Sequence, residues 1–102
     1  MRTSTSIPFD EREAADLAEF FRALGDASRV RILSCITNGE RNVGEIATLI
    51  GGSHSAVSHQ LRGLRQMRLV RARKAGREVF YALNDNHVRT LLRQGVTHLR
   101  HE

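Results

Sequence analysis

"SHSAVSHQLRGLRQM", residues 53–67, decides the fold of this chain. Val57, Leu61 and Leu64 recur at the spacing of one helical face and predict a helix with these three side chains turned inward. At about 100° per residue, the opposite face carries short hydroxyls, a histidine and an arginine: Ser55, Ser58, His59 and Arg62. Side chains of these types suit contacts with phosphates and base edges in DNA.

The residues before this helix predict a shorter helix and a tight turn. The shorter helix follows Asn42 and has Glu45 three residues further on, with apolar residues at Ile46, Leu49 and Ile50. Gly51-Gly52 ends it, and Ser53 is placed to cap the next helix. The combination predicts a helix-turn-helix in which His54 also lies on the DNA face, whereas an ordinary surface helix is the alternative for residues 53–67 taken alone.

The residues after this helix, "LVRARKAGREVFYAL", predict two short strands at about 69–73 and 78–83, joined by a basic turn at Gly76. Arginines alternate with small apolar residues in the first strand, so they share one exposed face. A basic hairpin directly after a helix-turn-helix is typical of a wing, with Arg73, Lys74 and Arg77 as its DNA contacts. The fold class predicted is therefore mainly α with a two-stranded β-hairpin, a winged helix-turn-helix.

Charge is distributed unevenly along the chain. The sequence has 16 Lys and Arg against 11 Asp and Glu, a net charge of +5. Basic residues without any acid occupy residues 62–77: Arg62, Arg65, Arg68, Arg71, Arg73, Lys74 and Arg77. This asymmetry favours a polyanionic partner, and a solvated basic face is the alternative.

At 102 residues the chain is expected to form one domain over residues 10–102, after a loose polar tail at residues 1–9. It shows neither a signal-peptide core nor a membrane-spanning run, which predicts a cytoplasmic protein with no membrane partner. Cys35 is the only cysteine; it fits a reducing compartment and is expected to pack within a helix.

The first and last helices carry more apolar residues than one small core can bury. The first helix is expected to start at a capping box of Asp10 and Glu13, and the second to run from Asp26 to Asn38-Gly39. The excess residues lie near the two ends of the chain: Leu17, Phe20, Phe21, Leu24, Leu92, Val96 and Leu99. They predict a homodimer formed through the first and last helices.

Four stretches resemble the ArsR/SmtB family of repressors: "LGDASRVRIL", "VGEIATLIGGSHSAVSHQLRGLRQMRLV", "RKAGREVFYAL" and "DNHVRTLLRQGVTHLRHE". The resemblance covers nearly everything from about residue 17 onward. It implies a homodimeric repressor that binds a palindromic DNA operator without metal and releases it when metal binds, derepressing metal efflux or resistance genes.

Within that family, sensing sites differ. The arsenic-sensing pattern needs cysteines where this chain reads "ERNVGEIA", and the cadmium- and lead-sensing pattern needs cysteines in the N-terminal tail, so neither fits. The zinc- and cobalt-sensing pattern is Asp-x-His, ten residues, then His-x-x-His or His-x-x-Glu. It matches Asp85, His87, His98 and His101, and Glu102 is placed to assist or replace His101.

The spacing of these residues decides how they can meet. His87 and His98 are eleven residues apart, about three turns or roughly 16 Å along a helix, whereas zinc needs each imidazole at about 2.1 Å. One straight helix therefore cannot bring both to one metal ion. If the C-terminal helices of two subunits pair in antiparallel orientation, two-fold symmetry gives two identical sites. Each site then has Asp85 and His87 from one chain and His98 and His101 from the other.

One carboxylate and three imidazoles suit tetrahedral Zn(II) or Co(II), and Ni(II), which prefers more ligands, is less expected. Four protein ligands leave no open position, which favours sensing over hydrolysis. No Ser-His-Asp set, phosphate loop or catalytic carboxylate pair is visible, so neither an enzyme nor a small-molecule substrate is predicted. One alternative is that these side chains form only a polar helix edge. A second is a winged-helix repressor that responds to another signal, such as nickel, or to none. A third is a metal-buffering or redox protein.

Overall fold

The helices of this chain start directly after residues whose side chains cap them. In the computed structural model, which describes residues 6–100, Asp10 and Asn42 each form a capping box, with Glu13 and Glu45 respectively. Asp26 and Ser53 cap two further helices by accepting from backbone N–H groups. All four predicted helix starts are confirmed. The helices are α1 (Glu11–Leu24), α2 (Ala27–Cys35), α3 (Val43–Ile50), α4 (His54–Gln66) and α5 (Asn86–Arg100).

Two predicted boundaries differ in the structure. Helix α2 ends at Cys35 instead of continuing to Asn38-Gly39, because Ile36 N–H donates to the carbonyl of Leu33 at 3.1 Å and tightens the last turn. At the N-terminus, residues 6–9 of the predicted tail contain no helix or strand, and residues 1–5 lie outside the described part.

The predicted hairpin is confirmed, and a short additional strand extends it to a three-stranded antiparallel sheet. The strands are β1 (Arg41–Asn42), β2 (Val70–Ala75) and β3 (Glu78–Leu83), in the order β1-β3-β2. Strand β1 pairs with β3 at Arg41↔Tyr81, which attaches the wing to the residues that start α3. A strand of two residues is too short to show an alternating pattern, so the sequence did not predict β1. Strand β2 runs to Ala75, past the predicted end, because its pairing continues to Ala75↔Glu78 at the turn.

The core lies between α2, α3, α4 and the sheet. Val57, Leu61 and Leu64 of α4 are buried in it as predicted, so one side of this helix is fixed to the body. The other large side chains that are almost fully buried are Ile32, Leu33, Ile36, Ile46, Leu69 and Val70. Cys35 packs against this core as expected, and burial raises the pKa of its thiol despite the nearby Arg41 and Arg31.

The first and last helices bury little within one chain. Ala23 is the buried residue of α1, and Val88 is that of α5. Of the residues expected at a subunit interface, three pack partly against the chain's own core: Phe20, Leu24 and Leu92. The other four are exposed in the single chain: Leu17 (40%), Phe21 (50%), Val96 (45%) and Leu99 (84%). Within residues 6–100, no helix is both long and apolar enough to cross a membrane.

Candidate DNA interface and metal centre

Helix α4 presents a polar surface away from the core. We call the five predicted side chains on it the recognition surface: His54, Ser55, Ser58, His59 and Arg62. Ser58 is half-buried and the other four are exposed. The inward side chains of the same helix are held in the core, so this surface keeps a fixed orientation.

The turn between α3 and α4 depends on a glycine. Gly51 follows α3 with φ of 72°, a left-handed conformation that residues with a Cβ adopt only at a cost. The next residue, Gly52, donates its N–H to the carbonyl of Ala47 at 3.0 Å and closes the end of α3. This sharp turn sets the direction in which α4 leaves α3.

The tip of the wing is a two-residue turn at Gly76 and Arg77 between the paired residues Ala75 and Glu78. Gly76 has φ of 64°, which a glycine adopts readily. Lys74 and Arg77 are exposed at this tip. Of the three predicted basic contacts of the wing, these two are therefore free of the core, at the turn that joins β2 and β3.

Arg73 is engaged within the protein. Its Nε donates to the two carboxylate oxygens of Glu40 at 3.1 and 3.2 Å, and its Nη2 also donates to Glu40. The guanidinium lies 5.1 Å from the centroid of the Phe80 ring. Hydrogen bonds from Arg73 hold the pKa of Glu40 below its usual value. Sequence reasoning missed Glu40, because it lies 33 residues away along the chain and shows no local pairing pattern.

Asp85 caps α5 and faces His87 at the same time. Its Oδ1 accepts from the backbone N–H groups of His87 (2.9 Å) and Val88 (3.3 Å), while its Oδ2 lies 3.4 Å from Nδ1 of His87. Desolvation acts to raise the pKa of Asp85, but the hydrogen bonds from Val88 and His87 outweigh it and the pKa is lowered. The side chains of Asp85 and His87 are 44% and 92% exposed, so both are accessible to a metal ion.

The second predicted pair of ligands begins with His98, which is exposed near the far end of α5. His101, together with Glu102, lies outside the described residues. Among residues 6–100, no three His, Cys, Asp or Glu side chains come together within one chain. Asp85 and His87 form a carboxylate and imidazole pair of the kind that binds Zn(II) or Co(II), and they need further ligands from elsewhere.

The first half of α5 is tied to the body by arginines. Arg89 Nε donates to the carbonyl of Thr37 at 2.7 Å, and Arg93 Nη2 to Oδ1 of Asn38 at 3.2 Å. Arg71 of β2 donates to the carbonyl of Asn84, the residue before Asp85, at 3.3 Å. These hydrogen bonds connect α5 to the loop after α2, and the residue before Asp85 to the wing.

These features define a class of protein. A short helix, a glycine turn, a helix with a polar outer surface and a basic wing make a winged helix-turn-helix, a DNA-binding fold. The family described as "Bacterial regulatory protein, arsR family" matches residues 26–72. The chain belongs to the ArsR/SmtB family of metal-responsive transcriptional repressors.

Two relatives cover most of the chain. A transcriptional repressor SmtB homolog of Synechocystis sp. is 49% identical over 88 residues, which are 86% of this chain and 67% of the relative. The HTH-type transcriptional regulator NmtR of Mycobacterium tuberculosis is 43% identical over 100 residues, 98% of this chain and 83% of the relative.

Solved structures share the fold. The solution structure of apo-NmtR superposes with a TM-score of 0.83 at 42% identity, over 99% of this chain and 85% of that chain. A homodimeric winged helix-turn-helix DNA-binding domain from Mycobacterium bovis, a possible ArsR-family regulator, has a TM-score of 0.77 at 31% identity, over 95% of this chain and 96% of its own. The predicted fold class is confirmed.

Proposed function

We propose that this protein is a cytoplasmic repressor in which residues 10–102 act as one DNA-binding and metal-sensing domain. The metal-free homodimer binds a palindromic operator. Zn(II) or Co(II) then binds at the paired C-terminal helices, lowers operator affinity and derepresses genes of metal efflux or resistance. The observation that carries this proposal is the arrangement of Asp85 at the start of α5, with one oxygen in the cap and the other directed to His87.

The metal sites lie between subunits. Asp85 and His87 of one chain form half of each site, and His98 and His101 of its partner form the other half. The exposed apolar residues of α1 and α5 support pairing through these helices, since an uncovered apolar face favours association. Four nitrogen and oxygen ligands favour tetrahedral Zn(II) or Co(II) over Ni(II).

The recognition surface enters the major groove, and the wing contacts phosphates. Two copies must read half-sites about one DNA turn apart, roughly 34 Å, so a small change in dimer geometry weakens both contacts together. Metal that fixes the separation of the two α5 helices changes this geometry, because arginines attach α5 to the wing and to the loop after α2. DNA binding and metal binding then each lower the affinity of the dimer for the other ligand.

The wing residues should separate by their salt dependence. We expect Lys74→Gln and Arg77→Gln each to flatten the slope of log affinity against log salt by about 0.9, since each removes one phosphate contact. Arg73→Gln is the matched control: its guanidinium is held by Glu40, so the slope should stay unchanged. Fluorescence anisotropy over a range of salt measures all three, and an unchanged slope for both tip variants would show that the wing does not contact phosphate.

The two roles of Asp85 can be separated by substitution. Asp85→Asn keeps a capping oxygen but loses the negative charge, so we expect unchanged thermal stability and Co(II) binding at least tenfold weaker. Asp85→Ala should weaken Co(II) binding as strongly and also lower Tm through loss of the cap. The ligand-field absorption of Co(II) reports metal binding and its geometry. Full-strength tetrahedral Co(II) binding by Asp85→Asn would contradict the assigned site.

A further inference from the structure

The first residue of the recognition helix lies against a glycine of the preceding helix. A Cβ built on Gly44, the second residue of α3, would stand 3.2 Å from Nε2 and 3.6 Å from Cε1 of His54. One edge of the His54 ring therefore rests on the first turn of α3. Both residues line the shallow cleft between α3 and α4, together with Arg41 and Thr48.

The backbone gives no reason for a glycine at this position. Gly51 and Gly76 have positive φ values, whereas Gly44 lies within a regular helix, where glycine is less favourable than alanine. The first turn of α3 is already fixed by the capping box, in which Glu45 N–H donates to Asn42 Oδ1 at 2.8 Å. What Gly44 provides is room for the His54 ring.

A methyl group at residue 44 would move the ring and leave the helices in place. A contact of 3.2 Å is tighter than most Cβ contacts, so the His54 ring, which is at the end of an exposed, rotatable side chain, must shift by a few tenths of an ångström or rotate. The capping oxygen of Asn42, at 3.4 Å, needs little adjustment. Because alanine is the better helix former, the fold should not be weakened.

We propose that Gly44 is a positioning residue for DNA binding, which seats the His54 ring across the α3–α4 cleft so that the ring contacts the operator. The first helix of a helix-turn-helix crosses the DNA backbone, so a ring held on α3 lies where phosphates pass. The inference rests on the proposed function, and it assigns to a residue outside the recognition surface a part in that surface's affinity.

The test compares Gly44→Ala, His54→Ala and the double variant as full-length dimers. The probe is a short duplex selected from a random-sequence pool by the unaltered protein. We expect Gly44→Ala to weaken binding about tenfold, the effect of losing one side-chain contact, with unchanged or higher Tm. In the His54→Ala background the same change should have no effect. In free Gly44→Ala, the NMR signals of the His54 ring should shift while those of His59 stay in place.

Three results would overturn the inference. The first is full operator affinity in Gly44→Ala. The second is equal weakening in the His54→Ala background, which would mean that the new methyl group acts directly on DNA. If the unaltered protein selects no sequence, the proposed function fails and the inference fails with it. The first two results leave the proposed function intact, so the two failures are distinguishable.

Discussion

Replacing His98 with alanine should leave operator binding within about twofold of the unaltered protein but abolish metal-driven release. His98 is exposed on α5 and contributes nothing to the core, so the fold and the recognition surface remain. Without it, each proposed intersubunit site would lose an imidazole. The proposed coupling between metal and DNA, typically about 1–3 kcal/mol or 5–150-fold in affinity, would then disappear. Operator titrations with and without Zn(II) measure this loss.

His59→Ala provides the opposite control. His59 is exposed on the recognition surface and lies far from α5 in the sequence, so its loss should weaken operator binding while metal affinity stays normal. The two histidine variants should therefore have opposite phenotypes: one loses the response to metal, and the other loses DNA affinity. If His98→Ala still released the operator fully on addition of Zn(II), His98 would not be a ligand.

Mixing two variants that each fail to bind metal tightly tests the intersubunit arrangement itself. His98→Ala chains retain Asp85 and His87, and Asp85→Asn chains retain His98 and His101, so a heterodimer would have one complete copy of the proposed site. After subunit exchange, the mixture should bind about one tight Co(II) per heterodimer, whereas neither homodimer binds it tightly. A mixture without tight binding would show that the site is not shared between subunits.

Placing a charge at Phe21 should disrupt the dimer and greatly weaken operator binding. Phe21 is 50% exposed in the single chain, on the apolar side of α1 that we assign to the dimer. Phe21→Asp would bury a carboxylate in that interface, so we expect a folded monomer at micromolar concentration. Because a monomer reads one half-site, operator affinity should fall at least a hundredfold. Sedimentation and anisotropy measure the two effects.

Ala15→Asp is the matched control for Phe21→Asp. Ala15 is also exposed on α1 but points about 120° away around the helix, so the same new charge lies outside the interface. This variant should remain dimeric and bind the operator normally. A dimeric Phe21→Asp protein, or a monomeric Ala15→Asp protein, would place the subunit interface elsewhere.

Periodicity and capping chemistry predicted most of the fold. Val57, Leu61 and Leu64 are buried as their spacing predicted, and Asn42 and Ser53 cap the helices that they precede. These are local rules, since they depend on residues within one or two turns of each other. The placement of α4 between a short helix and a wing followed from the same rules.

Contacts between distant residues were not predictable. Strand β1 is defined by pairing with β3, about 40 residues later, and Arg73 finds Glu40 across the sheet. The seating of His54 on Gly44 depends on the angle between α3 and α4, which the residue pattern does not specify. The four metal ligands, by contrast, were predicted from the sequence, and their assembly stays a prediction because half of them are expected from a second chain.

The most direct test of the central claim is the operator affinity of the unaltered dimer, measured without metal and with Zn(II), Co(II) or Ni(II). We expect Zn(II) and Co(II) to weaken binding by about 5–150-fold and Ni(II) to do so less. By linkage, the operator should weaken Zn(II) binding by the same factor. Operator affinity that is unchanged or raised when Zn(II) and Co(II) occupy the protein would contradict the account.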